Sequence, residues 1–151
     1  MHYWLMKSEP DTFSIDDLAC KAGQTEHWDG VRNYQARNFM RAMNAGDRAF
    51  FYHSNCAEPG IVGIVEIVRT AYPDPSAFDR KSPYYDPKSS RDRLRWYMVD
   101  VRLLRRLPRL IPLGSIKRNP RLAAMHLVQR GNRLSVMPVT AAQWQAILKM
   151  E

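Results

Sequence analysis

The sequence predicts an α+β domain whose sheet of at least five strands curls toward a barrel, with helices at its periphery. Three observations lead there. Asp47 to His53, Gly60 to Thr70 and Trp96 to Leu104 are rich in β-branched and aromatic residues, as strands are. Short stripes of apolar residues at helical spacing lie between and after them. The alternation of the two kinds of segment never settles into regular βαβ units, so a doubly wound parallel sheet is excluded.

In chain order, residues 2 to 7 form a first strand that ends in the turn-forming Ser8-Glu9-Pro10-Asp11. Ser14 with Asp17 makes a capping box, and Ile15, Leu18, Ala19 and Ala22 supply the stripe of a short helix that stops at Gly23. A second helix runs from about Asn33 to Met43 on Ala36, Phe39, Met40 and Met43, closed by Asn44-Ala45-Gly46. The strands at 47–53 and 60–70 follow. Ala71 to Arg95 is polar, holds four of the ten prolines, and reads as a long loop with at most one helical turn, a kind of segment that often carries function. In the strand at 96–104, Tyr97, Val99, Val101 and Leu103 alternate with Met98, Asp100 and Arg102, which gives one buried and one wetter face. Arg105-Arg106 and two proline breaks end it. A helical region at Leu113 to Met125, interrupted at Asn119-Pro120, and a last strand at Arg133 to Val139 come next. Thr140 with Gln143 caps a terminal helix whose Trp144, Ile147 and Leu148 cover the sheet.

At 151 residues the chain is expected to be one domain, residues 1–151, and a monomer. The longest apolar run, Ile61 to Val68, contains Glu66 and is far shorter than the roughly 20 residues a spanning helix needs. The N-terminus reads directly into a strand, so no membrane association and a cytoplasmic or nuclear location are expected. Cys20 and Cys56 are too far apart for a Cys-x-x-Cys pair and read as structural thiols. His2, His27, His53 and His126 have no ligand spacing, so neither a metal nor another cofactor is expected.

The chain carries a formal charge of +8 and a pI near 9.8, which implies an anionic partner. Lys88 to Arg133 holds 13 basic and 2 acidic residues, so the basicity is segmental. Seventeen of the 23 cations are Arg, whose planar fork suits phosphate and stacks on bases, so nucleic acid fits better than a membrane surface.

Four segments hold candidate chemistry. Trp28-Asp29-Gly30-Val31-Arg32-Asn33-Tyr34-Gln35-Ala36-Arg37-Asn38 gathers an indole, a guanidinium and amides at a helix start. Trp28 could stack on a base and Asn33 or Gln35 could read its edge, or Trp28 and Tyr34 are core and Asn33 an N-cap. Phe50-Phe51-Tyr52-His53-Ser54 ends a strand in hydrogen-bonding groups, which is either a pocket wall or a strand buried on both faces. At Gln129 to Val139, Arg130 and Arg133 could reach phosphates and Ser135 a base, or the segment is a solvated turn leading into a strand. Ser8, His53 and an aspartate could be combined into a triad, but no serine sits in a Gly-x-Ser-x-Gly elbow. Phosphate-binding glycine loops are likewise missing.

Taken in order, Trp4-Leu5-Met6-Lys7-Ser8-Glu9-Pro10, the Trp28 to Asn38 segment, Phe51-Tyr52-His53-Ser54 and Arg133-Leu134-Ser135-Val136-Met137-Pro138-Val139 resemble the EVE domain family, in its thymocyte nuclear protein-like branch. The likeness runs from residue 2 to about 149. It implies a PUA-like β-barrel, related to YTH and ASCH domains, that binds a modified nucleobase flipped into a pocket and catalyses nothing. By the family pattern the pocket would comprise Lys7, Ser8, Trp28, Val31, Asn33, Tyr52, His53, Ser54 and Ser135, with Trp28 and Tyr52 as stacking walls. Arg32, Arg130 and Arg133 would hold phosphate. The expected partner is DNA or RNA carrying modified bases, with modified cytosine in DNA first and modified RNA or tRNA second. A small enzyme acting on a modified base or nucleoside, and a protein–protein adaptor, are the readings from other classes.

Overall fold

The computed structural model describes residues 1–151. Its centre is strand β3, Arg48–His53, which pairs in parallel with β1, Tyr3–Ser8, and antiparallel with β4, Gly60–Pro73. Beyond β4 lie β5, Tyr97–Pro112, and β2, Thr25–Trp28; beyond β1 lies β6, Val136–Val139. The six-stranded mixed sheet therefore has the order β2-β5-β4-β3-β1-β6. Its outer strands, β2 and β6, do not pair with each other, so the expected curl does not close into a ring of hydrogen bonds.

Four helices accompany the sheet: α1, Ile15–Ala19; α2, Tyr34–Ala42; α3, Leu113–Arg118; and α4, Ala141–Leu148. The sequence-derived helix starts hold. Ser14 and Thr140 each accept from the backbone N–H three residues on, and Asp17 and Gln143 return the bond, so both capping boxes are complete. No helix is long and apolar enough to cross a membrane.

β3 is buried on both faces, because Ala49, Phe50, Phe51 and Tyr52 are all 2% exposed or less. On one side α4 presses Trp144 onto Phe50, ring centroids 3.8 Å apart and nearly parallel, and Tyr3 stacks on the same indole at 4.5 Å. On the other, Phe51 meets Trp28 edge-on at 5.2 Å and Phe13 at 6.2 Å. The terminal helix thus covers the sheet as its apolar stripe required. At Gly63, a Cβ would fall 2.2 Å from Ile15 Cδ1 and 2.9 Å from the Arg105 carbonyl oxygen, so α1 docks where the sheet has no side chain.

Two elements depart from expectation. β2 was not anticipated: four residues with only Trp28 buried carry too little alternation to register as a strand, and its partner β5 creates it. β5 continues past Leu104 to Pro112, through both proline breaks. Its pairing with β4 jumps from Gly63↔Arg106 to Ile61↔Ile111, so Pro108 lies in a bulge where the sheet asks no N–H of it. Of the two thiols read as structural, Cys20 is exposed and Cys56 only half-buried, and both are free.

Replacing Gly63 with alanine forces either α1 or the β4–β5 pair apart, and is expected to lower stability by about 1–3 kcal/mol. Chemical denaturation of Gly63→Ala against wild type measures it.

Candidate nucleic-acid interface

The ends of four strands meet at one place. β1 and β3 run parallel, so Lys7-Ser8 and His53-Ser54 finish side by side, and the Ser54 N–H donates to the Ser8 carbonyl at 3.0 Å. The Lys7 N–H donates to the Ser135 carbonyl at 2.8 Å, bringing the segment before β6 alongside. β2 delivers Trp28 and then turns through Asp29, Gly30 and Val31. Between these ends opens a cavity of about 1050 Å³ lined by Lys7, Ser8, Trp28, Val31, Ser54 and Ser135, with Arg133 at its edge. All seven are among the residues the sequence assigns to the pocket or to phosphate. Glu9, Thr12, Phe13, Glu26, His27, Asp29, Gly30, Asn55, Tyr84 and Leu134, to which the sequence assigns no such role, complete the lining.

Three expected pocket residues serve the scaffold instead. Asn33 is the N-cap of α2, its Oδ1 accepting from the Ala36 N–H at 2.9 Å. Tyr52 is buried within the sheet, where desolvation pushes its phenol up to about 12, and the Lys7 ammonium lies 5.7 Å from its ring centroid. His53 accepts from the Ile15 N–H through Nε2 at 3.1 Å, so its ring holds the start of α1. Burial lowers its pKa and keeps it neutral, as an accepting nitrogen requires. Ser8 Oγ likewise donates to the Phe13 carbonyl at 2.6 Å. The serine and histidine that could have begun a triad are thus each committed to the backbone.

Arg32, expected on phosphate, is the centre of a knot. Its Nη1 pairs with Asp74 Oδ2 at 3.1 Å and donates to the Val31 carbonyl. Its Nε and Nη2 both reach the Tyr84 carbonyl, at 3.0 and 2.8 Å, and Nη2 also reaches Ser76 Oγ. Asp74 is 1% exposed and accepts from the Gly30 and Ser76 N–H groups and from Ser76 Oγ. Burial alone would raise the Asp74 pKa, but the bonds from Ser76, Gly30 and Arg32 outweigh it and hold it below the ordinary carboxylate range. The knot fastens the 74–95 loop to the turn after β2 and sets Tyr84 over Gly30. There φ is +78° and a Cβ would fall 2.6 Å from the ring, so only glycine fits on both counts.

The cavity is less basic than the chain. Lys7 and Arg133 share its lining with Glu9, Glu26 and Asp29. Asp29 has its pKa raised, first by burial and then by the Asp74 charge, while His27 Nε2 stands 3.7 Å from its Oδ2. Burial also lowers the Lys7 pKa. Part of the basic Lys88 to Arg133 segment is spent elsewhere, since Arg102, Arg105 and Arg106 pair with Glu66, Glu151 and Asp16. Arg130 is exposed on the turn before β6 and lies outside the lining.

The profile of the EVE domain matches residues 2–150. The chain belongs to the EVE domain family. Thymocyte nuclear protein 1 of Homo sapiens is 54% identical over 124 residues, covering 76% of this chain and 55% of the human one. This chain spans about half the length of the curated relatives it matches. Among solved structures, one from Pseudomonas putida is 54% identical with a TM-score of 0.95 over 98% of each chain. Another, the human THYN1 protein in complex with 5-methylcytosine containing DNA, is 46% identical with a TM-score of 0.95, over 99% of this chain and 97% of that one.

Removing the Arg32 guanidinium leaves Asp74 buried and unpaired. Arg32→Ala is expected to cost about 3–5 kcal/mol and Arg32→Lys a large share of that, because an ammonium cannot span four acceptors. Asp74 has its pKa depressed on folding, so its contribution is present above the unfolded carboxylate pKa and lost as pH falls through the folded value. Wild type should therefore lose stability on acidification more steeply than an Asp74→Asn variant, as urea midpoints across an acid series would show.

Proposed function

We propose that this EVE domain binds DNA and holds one modified cytosine, 5-methylcytosine first, in the cavity at the ends of β1, β2, β3 and β6, without chemistry on the base. The observation that carries the reading is the 46% identical human protein in complex with 5-methylcytosine containing DNA, whose fold this chain shares over 99% of its length. The geometry supports it independently. A cavity of about 1050 Å³ is roomy enough for a nucleotide, and Phe13, Trp28 and Tyr84 bring three rings to its lining. Stacking at roughly 1–3 kcal/mol per base, with hydrogen bonds to the base edge, offsets the few kcal/mol that extraction costs.

The division of labour differs from the sequence expectation. Phe13 and Tyr84 take the stacking role given to Tyr52, beside Trp28. Asp29 takes the edge-reading role given to Asn33, since a carboxyl accepts from the cytosine amino group. Ser54 and Ser135 add hydroxyls, and Lys7 and Arg133 attract the strand. The commitment of Ser8 Oγ and His53 Nε2 to backbone partners supports binding without catalysis.

Titrating matched duplexes that carry cytosine, 5-methylcytosine or 5-hydroxymethylcytosine, and the corresponding RNA, tests the reading. A methyl group packed among the Phe13, Trp28 and Tyr84 rings is worth roughly 1–3 kcal/mol, so the methylated duplex should bind about tenfold tighter or more than the unmodified one. Asp29→Ala should weaken the preference for methylated cytosine over thymine. Equal affinity for all duplexes, or turnover of the base, contradicts the proposal.

A further inference from the structure

The segment from Tyr34 to Asn38 was singled out in the sequence, yet none of it lines the cavity. It forms the outer end of a cation–aromatic ladder that begins at the cavity wall. The Arg32 guanidinium lies 5.6 Å from the Tyr84 ring centroid and 5.3 Å from that of Trp96. Tyr34 stacks on Trp96 at 4.9 Å and 15°, and Arg37 lies over Tyr34 at 4.8 Å. Trp96 is buried and pinned by its indole N–H to Asp86 at 2.7 Å, whereas Tyr34 is 50% exposed.

The outer end is built in a way that core packing does not require. Arg37 donates through Nε and Nη2 to Asn38 Oδ1 and through Nη1 to the Arg95 carbonyl, so its plane is fixed. Three of its five N–H bonds are then used, and two are free of protein acceptors. Arg95 extends Nη1 toward the Tyr34 hydroxyl at 3.4 Å. Neither arginine has a carboxylate within ion-pair distance, unlike Arg32, Arg102, Arg105 and Arg106. A guanidinium already immobilised loses little entropy on binding.

We propose that Tyr34, Arg37 and Arg95 form a phosphate-binding site that holds the DNA strand flanking the base in the cavity. The site takes the role that Arg32, consumed by Asp74, cannot fill. It rests on the reading of the cavity as a base pocket for its position along the strand, but not for its chemistry, which is that of a backbone phosphodiester.

The test measures the full chain with a duplex carrying one 5-methylcytosine over a range of salt concentrations, and with free 5-methyl-2′-deoxycytidine. Arg37→Gln and Arg95→Gln should each weaken duplex binding by about tenfold at low salt and reduce the salt slope by about one, while nucleoside affinity and thermal midpoint stay at wild-type values. Arg37→Lys, which keeps the charge and loses the fixed plane, should retain the slope. Wild-type affinity and slope in the Arg37→Gln/Arg95→Gln variant would overturn the proposal, as would an equal loss of duplex and nucleoside binding. A variant-sensitive slope with no preference for methylation would support the phosphate site and count against the base pocket instead.

Discussion

The buried ion pair between Arg32 and Asp74 is the constraint on which the rest of the site depends. Between β4 and β5, residues 74–95 hold three prolines, one short helical turn and few buried side chains, so nothing intrinsic fixes their path. A desolvated carboxylate that must be met by a guanidinium and backbone N–H groups fixes it in one register. From that register follow the ring of Tyr84 over Gly30, the path of the turn after β2, and the first rung of the ladder leading to Tyr34 and Arg37. One electrostatic contact thereby converts an irregular segment into a cavity wall.

The sheet supplies the remaining walls by topology. Because β1 and β3 are parallel neighbours, their C-terminal ends arrive together, and β6 enters beside β1 at the same edge. Lys7, Ser8, Ser54 and Ser135 are adjacent in space for that reason alone. The interior balances Lys7 and Arg133 against Glu9, Glu26 and Asp29, while cations without carboxylate partners collect on the flank at Arg37 and Arg95. A net positive protein thus keeps this cavity mixed in charge. That is suited to a base edge, which offers donors as well as acceptors, with the flank suited to the backbone.

Much of this was legible in the sequence, and the failures have physical causes. Ser14 with Asp17 and Thr140 with Gln143 are local signals, and both gave real helix starts. The motifs around Trp4, Trp28 and Arg133 located most of the cavity. Tyr52 and His53 were misplaced because strand alternation says which residues share a face, not that distant Trp144 and Ile15 will close both faces. Asn33 satisfied both a capping and a reading role on paper, and the Ala36 N–H claimed it. Tyr84 stood in a segment without periodicity, so no pattern could assign it to the wall. The partial neutralisation of the basic segment was equally hidden, since Glu66, Glu151 and Asp16 come from elsewhere in the chain.

A methylated cytosine that leaves its stack for the cavity brings its methyl group among the rings of Phe13, Trp28 and Tyr84. The most direct measurement places an isotope-labelled methyl group on the 5-methylcytosine of a bound duplex and records the protons near it by NMR. Binding in the cavity gives transfer from that methyl to ring protons of Phe13, Trp28 and Tyr84, with its contacts to the flanking bases lost. A methyl that keeps its contacts to the neighbouring bases, while only surface residues of the protein respond, would contradict it.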